Sequence, residues 1–200
     1  MAKKETNRVN FHKQFQLHKA CSSDELRPVM SNILFRNGYA YATDAFIAVK
    51  ARLEDITNFP PDQIAMLDGH MLNRKHYEML LKSDHAEIGR VTNPETGEET
   101  VQIRVLCENS TFFILPLIKE QEGHRFPDCE KAIFENSRGG VPVPAIGFNF
   151  TRLGALKAAM GIQANMQMHF SGNGKQIEIY SIDLEGYDVR GIIHAELIEN

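Results

Sequence analysis

Pro28–Leu53 has the sequence PVMSNILFRNGYAYATDAFIAVKARL, and this stretch decides the fold. Asn37-Gly38 can adopt the positive φ angles that a two-residue hairpin turn requires. Thr43-Asp44 then interrupts the apolar run with side chains that bond to neighbouring backbone amides. The stretch therefore predicts an antiparallel meander, whose three strands cover residues 33–35, 39–42 and 46–51.

The bulk composition limits the classes of protein to which the chain can belong. Its 200 residues are 42% hydrophobic, enough for one good core or two small ones. The formal net charge of −4 argues against a general coat of nucleic acid, although a local basic surface is compatible with it. No apolar run is long enough to span a bilayer, so no membrane association is expected. Three widely spaced cysteines fit a reduced, cytoplasmic protein better than a disulfide scaffold.

The N-terminal segments give weaker signals. Residues 1–10 are predicted to form a flexible polar arm. For Phe11–Cys21 two alternatives stay open. Phe15, Leu17 and Lys19 alternate as in a strand, while the two phenylalanines and His18 keep helical spacing. Ser22–Glu25 has the spacing of a capping box, which predicts a helical turn.

The rest of the chain alternates strand and helix signals. A helix over residues 71–81 has an apolar face, and a second helix over residues 151–160 has Thr151 as its N-cap and Gly161 at its C-terminus. Residues 120–143 are predicted to be a connector because they are rich in glycine and proline. The remaining predicted strands cover residues 63–67, 86–91, 100–106, 111–117, 145–150, 166–170, 176–180 and 187–194.

A similar order of signals occurs three times. The first window contains the Asn37-Gly38 turn, then an aromatic-bearing strand, then Asp44 before the next strand. The last window, residues 168–183, carries Asn173-Gly174 in the equivalent place, and the middle window, residues 86–117, has a longer hairpin loop. The repeats predict a unit of one strand, one helix and three antiparallel strands that occurs about three times.

Short motifs within these units are similar to a known family. The motifs are Arg27-Pro28, Asn32–Phe35 and Ala42–Asp44, followed later by Gly123–Asp128 and by Phe148–Leu197. In this order they resemble the bacterial DNA polymerase III β sliding clamp. The resemblance implies an α+β, DNA-clamp-like fold, in which repeated β-α-β-β-β units form antiparallel sheets with helices on one face.

Two features differ from that family and shape the expected domains. Bacterial clamps have three domains of two units each, whereas this chain has length for about three units. Its C-terminal segment, Ile193–Leu197, replaces a Met-Pro-Met-like sequence beside the pocket that receives polymerase peptides. We expect a clamp-like domain of two units at residues 11–130, and a connector with half a clamp-like domain at residues 131–200.

The resemblance also implies where DNA would bind. Clamp helices line a channel and present basic side chains to phosphates, which positions a protein on DNA without reading its sequence. The alternative is that these side chains belong to ordinary solvated helix faces. Six basic residues lie on or beside predicted helical segments, and they are the candidate DNA-binding residues: Arg27, Arg74, Lys75, Lys82, Arg152 and Lys157.

No pattern of catalytic or metal-binding residues emerges. Asp44 follows a threonine between strands, where such pairs usually bond to turn amides. The spacing of six residues between His70 and His76 does not place two ligands on one helical face, and no cysteine or carboxylate completes the pair. Cys129 lacks a nearby basic partner. We therefore expect neither an enzyme nor a cofactor or metal.

Two functional hypotheses remain. The first is a non-enzymatic, processivity-factor-like protein that holds duplex DNA, forms a homo-oligomer and contacts a polymerase or other replication proteins. The second is a clamp-fold module for protein–protein interaction that does not encircle DNA. The altered C-terminal segment favours the second hypothesis.

Overall fold

A computed structural model describes residues 8–106, 112–120, 125–134, 146–163, 165–170, 176–194 and 196–197. The α-helices are α1 (Leu53–Ile56), α2 (Pro61–Met66), α3 (Arg74–Lys82) and α4 (Phe150–Ala159), and single turns of 3₁₀ or π-helix cover Leu17–Ala20, Pro28–Ser31 and Glu130–Phe134. The strands are β1 (Asn32–Arg36), β2 (Tyr39–Thr43), β3 (Ile47–Arg52), β4 (His70–Asn73), β5 (His85–Thr92), β6 (Glu99–Leu106), β7 (Phe112–Pro116), β8 (Ile118–Lys119), β9 (Ile146–Gly147), β10 (Met166–Phe170), β11 (Gln176–Ser181), β12 (Val189–His194) and β13 (Glu196–Leu197).

The predicted meander is confirmed. Asn37 and Gly38 have φ angles of 52° and 77°, as a two-residue turn between β1 and β2 requires. The break before β3 also forms as expected, because Asp44 Oδ1 accepts hydrogen bonds from the amides of Phe46 and Ile47, each at 2.8 Å. Local turn chemistry therefore fixes the register of the first three strands.

The meander lies in the middle of an eight-stranded antiparallel sheet with the order β10-β11-β12-β3-β2-β1-β4-β8. β3 pairs with β12 over five residue pairs, so the last three-strand meander continues the first one edge to edge. β5, β6 and β7 form a separate three-stranded sheet, in which the hairpin predicted around residues 93–97 joins β5 to β6. The antiparallel α+β architecture predicted from the sequence is confirmed.

The repeating unit is visible in two places. β4, α3 and β5–β7 follow one another as strand, helix and three strands, and β9, α4 and β10–β12 do the same. In the first unit the helix is reduced to the single 3₁₀ turn at Leu17–Ala20. Phe11 forms only an isolated bridge with Thr57. Neither alternative for residues 11–21 is therefore correct.

Four local predictions are wrong. A strand was predicted for residues 63–67, but residues 63–66 belong to helix α2. A helix was predicted from residue 71, but residues 71–73 belong to β4 and the helix starts at Arg74. Ser22 accepts a hydrogen bond from the amide of Asp24 in a tight turn, and the expected helical turn does not form. α4 is capped by Asn149 instead of Thr151. At residues 71–73, pairing with β1 outweighs the local helical pattern. At Ser22 and Asn149, a side-chain acceptor of nearby backbone amides decides the local structure.

The helices cover one face of the large sheet. The main core lies between this face and the helices, and contains Phe15 and Leu17 together with Tyr77 of α3 and Leu156 of α4, all fully buried. The opposite face is covered by residues 125–134, whose Phe126 and Phe134 pack on Leu34, Tyr41 and Ile192. The sheet is thus buried on both faces around its centre.

Some predictions fall outside the described residues. These are most of the N-terminal arm, the turn at Asn173-Gly174 and parts of the connector, namely residues 121–124 and 135–143. Within the described part of the chain, no helix is long and apolar enough to cross a membrane.

Candidate nucleic-acid interface

A groove of about 430 Å³ opens on the helical side of the sheet, between the first turns of α3 and α4. The 3₁₀ turn at Leu17–Ala20, the loop at residues 22–27 and the break between β2 and β3 form its remaining walls. The turn at Leu17–Ala20, which lines the groove through His18 and Lys19, stands where the other two units have a full helix. Seven charged side chains line it: Lys19, Arg27, Arg74, Arg152, Asp24, Asp44 and Glu78.

A second depression of about 250 Å³ continues from the first. The two share His18, Lys19 and Glu78, and the second adds Lys13 and Lys82. We call the two depressions together the helix-face groove. Its charged lining comprises six basic residues (Lys13, Lys19, Arg27, Arg74, Lys82 and Arg152) and three acidic ones (Asp24, Asp44 and Glu78).

Helix α3 supplies one wall through residues spaced by four. Arg74, Glu78 and Lys82 lie one turn apart and therefore occupy the same side of the helix. Asn73 caps the helix, with its Oδ1 accepting a hydrogen bond from the amide of Lys75 at 3.0 Å. This cap fixes where the helix begins, so Arg74 lies in its first turn, where it lines the groove.

Helix α4 supplies the facing wall. Asn149 Oδ1 accepts hydrogen bonds from the amides of Thr151 at 2.8 Å and Arg152 at 3.3 Å. The Arg152 guanidinium lies over the ring of Phe46, 3.6 Å from its centroid, and 4.0 Å from Asp44 Oδ2. A cation–π contact and an ion pair thus join α4 to the break between β2 and β3.

The structure brings together four of the six candidate DNA-binding residues. Arg27, Arg74 and Arg152 line the first depression, and Lys82 lines the second. Lys75 and Lys157 line neither. Sequence reasoning missed Lys13 and Lys19, because it left the structure of residues 11–21 open and so could not assign these lysines to a face.

The basic side chains of the groove differ in whether an acid already neutralises them. Lys82 Nζ lies 2.7 Å from Glu78 Oε1, and Arg27 Nε lies 3.6 Å from Asp24 Oδ2. Arg152 is paired with Asp44, as described above. The other three basic residues of the groove, Lys13, Lys19 and Arg74, form no ion pair within the described part of the chain.

His18 lies where the two depressions meet. Burial, reinforced by the positive charge of Lys19, lowers its pKa from 6.5 to about 4. Glu78 acts in the opposite direction, while Lys82 and Arg74 add to the lowering. The imidazole is therefore neutral at pH 7, and it adds no charge to the groove.

We expect stability to fall as the pH drops from about 6.5 to about 4, because the unfolded chain takes up a proton that the folded His18 resists. One such group changes the free energy of unfolding by at most about 1.4 kcal/mol per pH unit. Urea unfolding at a series of pH values should show this slope in the wild type. It should be smaller in the neutral variant His18→Gln, and equal slopes in the two proteins would contradict the assignment.

Two buried cysteines and Asp44 are the other side chains that could take part in chemistry, and each is held in a structural role. Burial raises the pKa of Cys129 to about 12 and also raises that of Cys21, so neither thiol is a ready nucleophile. Asp44 is occupied with turn amides and Arg152. Across the described ranges, no group of three or more histidine, cysteine or acidic residues is arranged to hold a metal ion.

Comparison with known proteins gives matches in structure only. No family model matches the chain, and no curated protein matches its sequence. Among solved structures, the β subunit from DNA polymerase of Streptococcus pyogenes superposes with a TM-score of 0.57 at 15% identity, over 99% of this chain and 67% of that one. The DNA polymerase III β subunit of Pseudomonas aeruginosa gives 0.53 at 13% identity, over 99% and 69%. The β chain of Streptococcus pneumoniae gives 0.55 at 12% identity, over 100% and 67%.

These likenesses establish the fold. The DNA-clamp-like architecture expected from the short sequence motifs is confirmed, with nearly the whole chain aligned in each case. This chain spans about two thirds of the length of each matched β subunit. At 12–15% identity the superposition carries the fold alone.

Proposed function

We propose that this protein is a non-enzymatic, sliding-clamp-like protein that holds duplex DNA without reading its sequence. The observation that carries the proposal is the helix-face groove, where six basic side chains from α3, α4 and residues 13–27 converge on the helical side of a clamp-like fold. Lysine and arginine side chains that neutralise phosphates supply most of the affinity of sequence-independent binding. Lys75 and Lys157 belong to the proposal as outer contacts beyond the groove.

The net charge of the chain does not oppose this proposal. DNA responds to the potential of the surface it approaches, and the groove holds twice as many basic as acidic side chains while the whole chain carries −4. The acidic excess therefore lies elsewhere on the molecule. An acidic exterior around a basic groove also steers DNA towards the groove.

The partners follow from the same fold. The matched structures are subunits of DNA polymerases, so a polymerase or another replication protein in the cytoplasm is the proposed protein partner. The proposed division of the chain is a clamp-like domain at residues 11–130, then a connector and half a domain at residues 131–200. Half a domain leaves strand edges that a second copy can cover.

We expect a homo-oligomer because both the large sheet and the three-stranded sheet have edge strands with one side open to a further strand. Within the described residues, β10 pairs only with β11, and β7 pairs only with β6. β7 also exposes two large apolar side chains, Phe112 and Ile114. Light scattering should give a mass above that of one chain. A mass of 22.7 kDa that persists at high concentration would contradict the assembly.

DNA binding is tested with a fluorescently labelled duplex of mixed sequence, titrated with protein at several salt concentrations. Replacing the three unpaired basic residues, Lys13, Lys19 and Arg74, by alanine should weaken binding by about tenfold or more near 0.1 M salt. The slope of log K against log [salt] should fall by about one per lost phosphate contact. Two unrelated duplex sequences should be affected equally, since phosphate contacts carry no sequence information.

A matched control removes three positive charges away from the groove. Arg90, Lys119 and Arg125 are exposed and line neither depression, so their alanine variants should bind duplex DNA as the wild type does. Absent or salt-insensitive binding by the wild-type protein would overturn the proposed function and leave the fold untouched.

A clamp-fold protein-interaction module is the second candidate. The observation that favours it is that three of the six basic side chains in the groove are already paired with acids. If the wild type fails to bind duplex DNA yet assembles with itself through its open strands, this candidate replaces the first.

A further inference from the structure

We infer that the three acidic residues of the helix-face groove, Asp24, Asp44 and Glu78, are built-in competitors of DNA phosphate that limit how many phosphates the groove holds. The inference rests on the proposed DNA binding and concerns its strength. Each acid occupies one basic side chain, so only Lys13, Lys19 and Arg74 are free to meet phosphates at no cost.

Backbone hydrogen bonds hold two of these acids in place. Asp24 Oδ1 accepts from the amide of Leu26 at 2.9 Å, which leaves Oδ2 to face Arg27. Asp44 Oδ1 accepts from two amides of the turn before β3, which leaves Oδ2 to face Arg152. Neither carboxylate can swing out of the groove without breaking its turn, so both charges stay there when DNA approaches.

Glu78 acts between the two depressions. It lines both of them and pairs with Lys82 one turn further along α3. Its side chain is 45% exposed and is not tied to the backbone, so this pair is looser than the two aspartate pairs. Its negative charge nevertheless lies between Arg74 and Lys82, where it opposes a phosphate that would bridge them.

A carboxylate and a phosphate compete for the same donors. A phosphate that takes Arg152 or Arg27 must draw the guanidinium away from its acid, and the acid, which stays in place, then repels the phosphate at close range. Exposed ion pairs are individually weak, so the competition reduces affinity without abolishing binding. Weak, exchangeable phosphate contacts are what permit a protein to slide along DNA.

The test is the variant Asp24→Asn/Asp44→Asn/Glu78→Gln. Each aspartate-to-asparagine change keeps the Oδ1 that accepts from the turn amides and turns an uncharged NH₂ group towards Arg27 or Arg152, so both turns are retained. In Glu78→Gln the amide oxygen can still accept from Lys82, but the side chain no longer carries a charge. We expect this variant to bind duplex DNA about tenfold more tightly than the wild type near 0.1 M salt. The salt slope should steepen by about 0.9 for each basic residue that gains a phosphate.

The control variant is Glu54→Gln/Glu95→Gln/Glu98→Gln, which changes net charge by the same amount outside the groove. Thermal unfolding followed by circular dichroism checks that both variants are folded. Equal effects of the two variants on affinity, or an unchanged salt slope in the groove variant, would overturn the inference while wild-type binding upholds the proposed function. Tighter binding by the groove variant than by the control variant would support the inference. Absence of DNA binding by both the wild type and the groove variant would overturn the proposed function and the inference together.

Discussion

Replacing Tyr77 by alanine is expected to lower the free energy of unfolding by about 4 kcal/mol, as for other large aromatic side chains removed from a core. The Tyr77 side chain on α3 is fully buried, and its ring lies 5.0 Å from that of Phe11 in an edge-to-face contact. Its hydroxyl donates a hydrogen bond to the backbone oxygen of Phe15 at 2.9 Å. Tyr77 thus packs and hydrogen-bonds the irregular N-terminal segment against α3.

The variant Tyr77→Phe separates the hydroxyl from the ring. It keeps the packing but leaves the Phe15 carbonyl without this donor, so we expect a loss of about 1–2 kcal/mol. Equilibrium unfolding in guanidinium chloride measures both variants. The DNA affinity of Tyr77→Phe should change little, since the side chain lines neither depression of the groove. Equal losses of stability in the two variants would contradict the assigned role of the ring.

Sequence reasoning predicted the elements whose signals are local. The Asn37-Gly38 turn needs only the conformational freedom of its two residues, and the Thr43-Asp44 break needs only hydrogen bonds between neighbours. Both features formed as predicted, as did the C-terminal glycine of α4, where Gly161 has a φ of +71°. Each signal is complete within about four residues.

Non-local contacts could not be read in this way. Residues 11–16 form no helix or strand of their own beyond the isolated bridge of Phe11. Their course is set by Tyr77 and by the backbone of α4, whose Ala158 oxygen accepts a hydrogen bond from the amide of Gln16. The pairing of β3 with β12 joins residues about 140 positions apart, and no local pattern encodes it. Helical propensity at residues 71–73 was likewise overridden by pairing with β1.

The basic residues of the helix-face groove were predicted where they lie on regular helices and missed where they lie on the irregular segment. Arg74, Lys82 and Arg152 were found because they lie on regular helices with recognisable spacing. Lys13 and Lys19 were missed because they lie on the irregular segment. The acids that pair with the groove's basic residues were not predicted. The Asp44–Arg152 pair links distant parts of the chain, so no local pattern encodes it. The Asp24–Arg27 and Glu78–Lys82 pairs are only three and four residues apart, and their spacing is a signal that the sequence does contain.

Gly191→Ala is expected to destabilise the protein by about 1–3 kcal/mol, although alanine is normally tolerated better than glycine in a strand. Gly191 lies on β12 at the junction of the two meanders, where it pairs with Val49 of β3. A Cβ at this position would overlap Met160 Sδ and would stand 3.0 Å from Leu156 Cδ1. Both side chains are fully buried, so neither can move aside freely.

The matched control is Gly89→Ala on β5, where an added Cβ meets no atom within 4 Å and where we expect no loss of stability. The double variant Gly191→Ala/Met160→Ala tests the cause, because removing the methionine leaves room for the new methyl group. Chemical unfolding should show that the combined loss is smaller than the sum of the single losses by about 1 kcal/mol. Additive losses would mean that Met160 is not the obstacle.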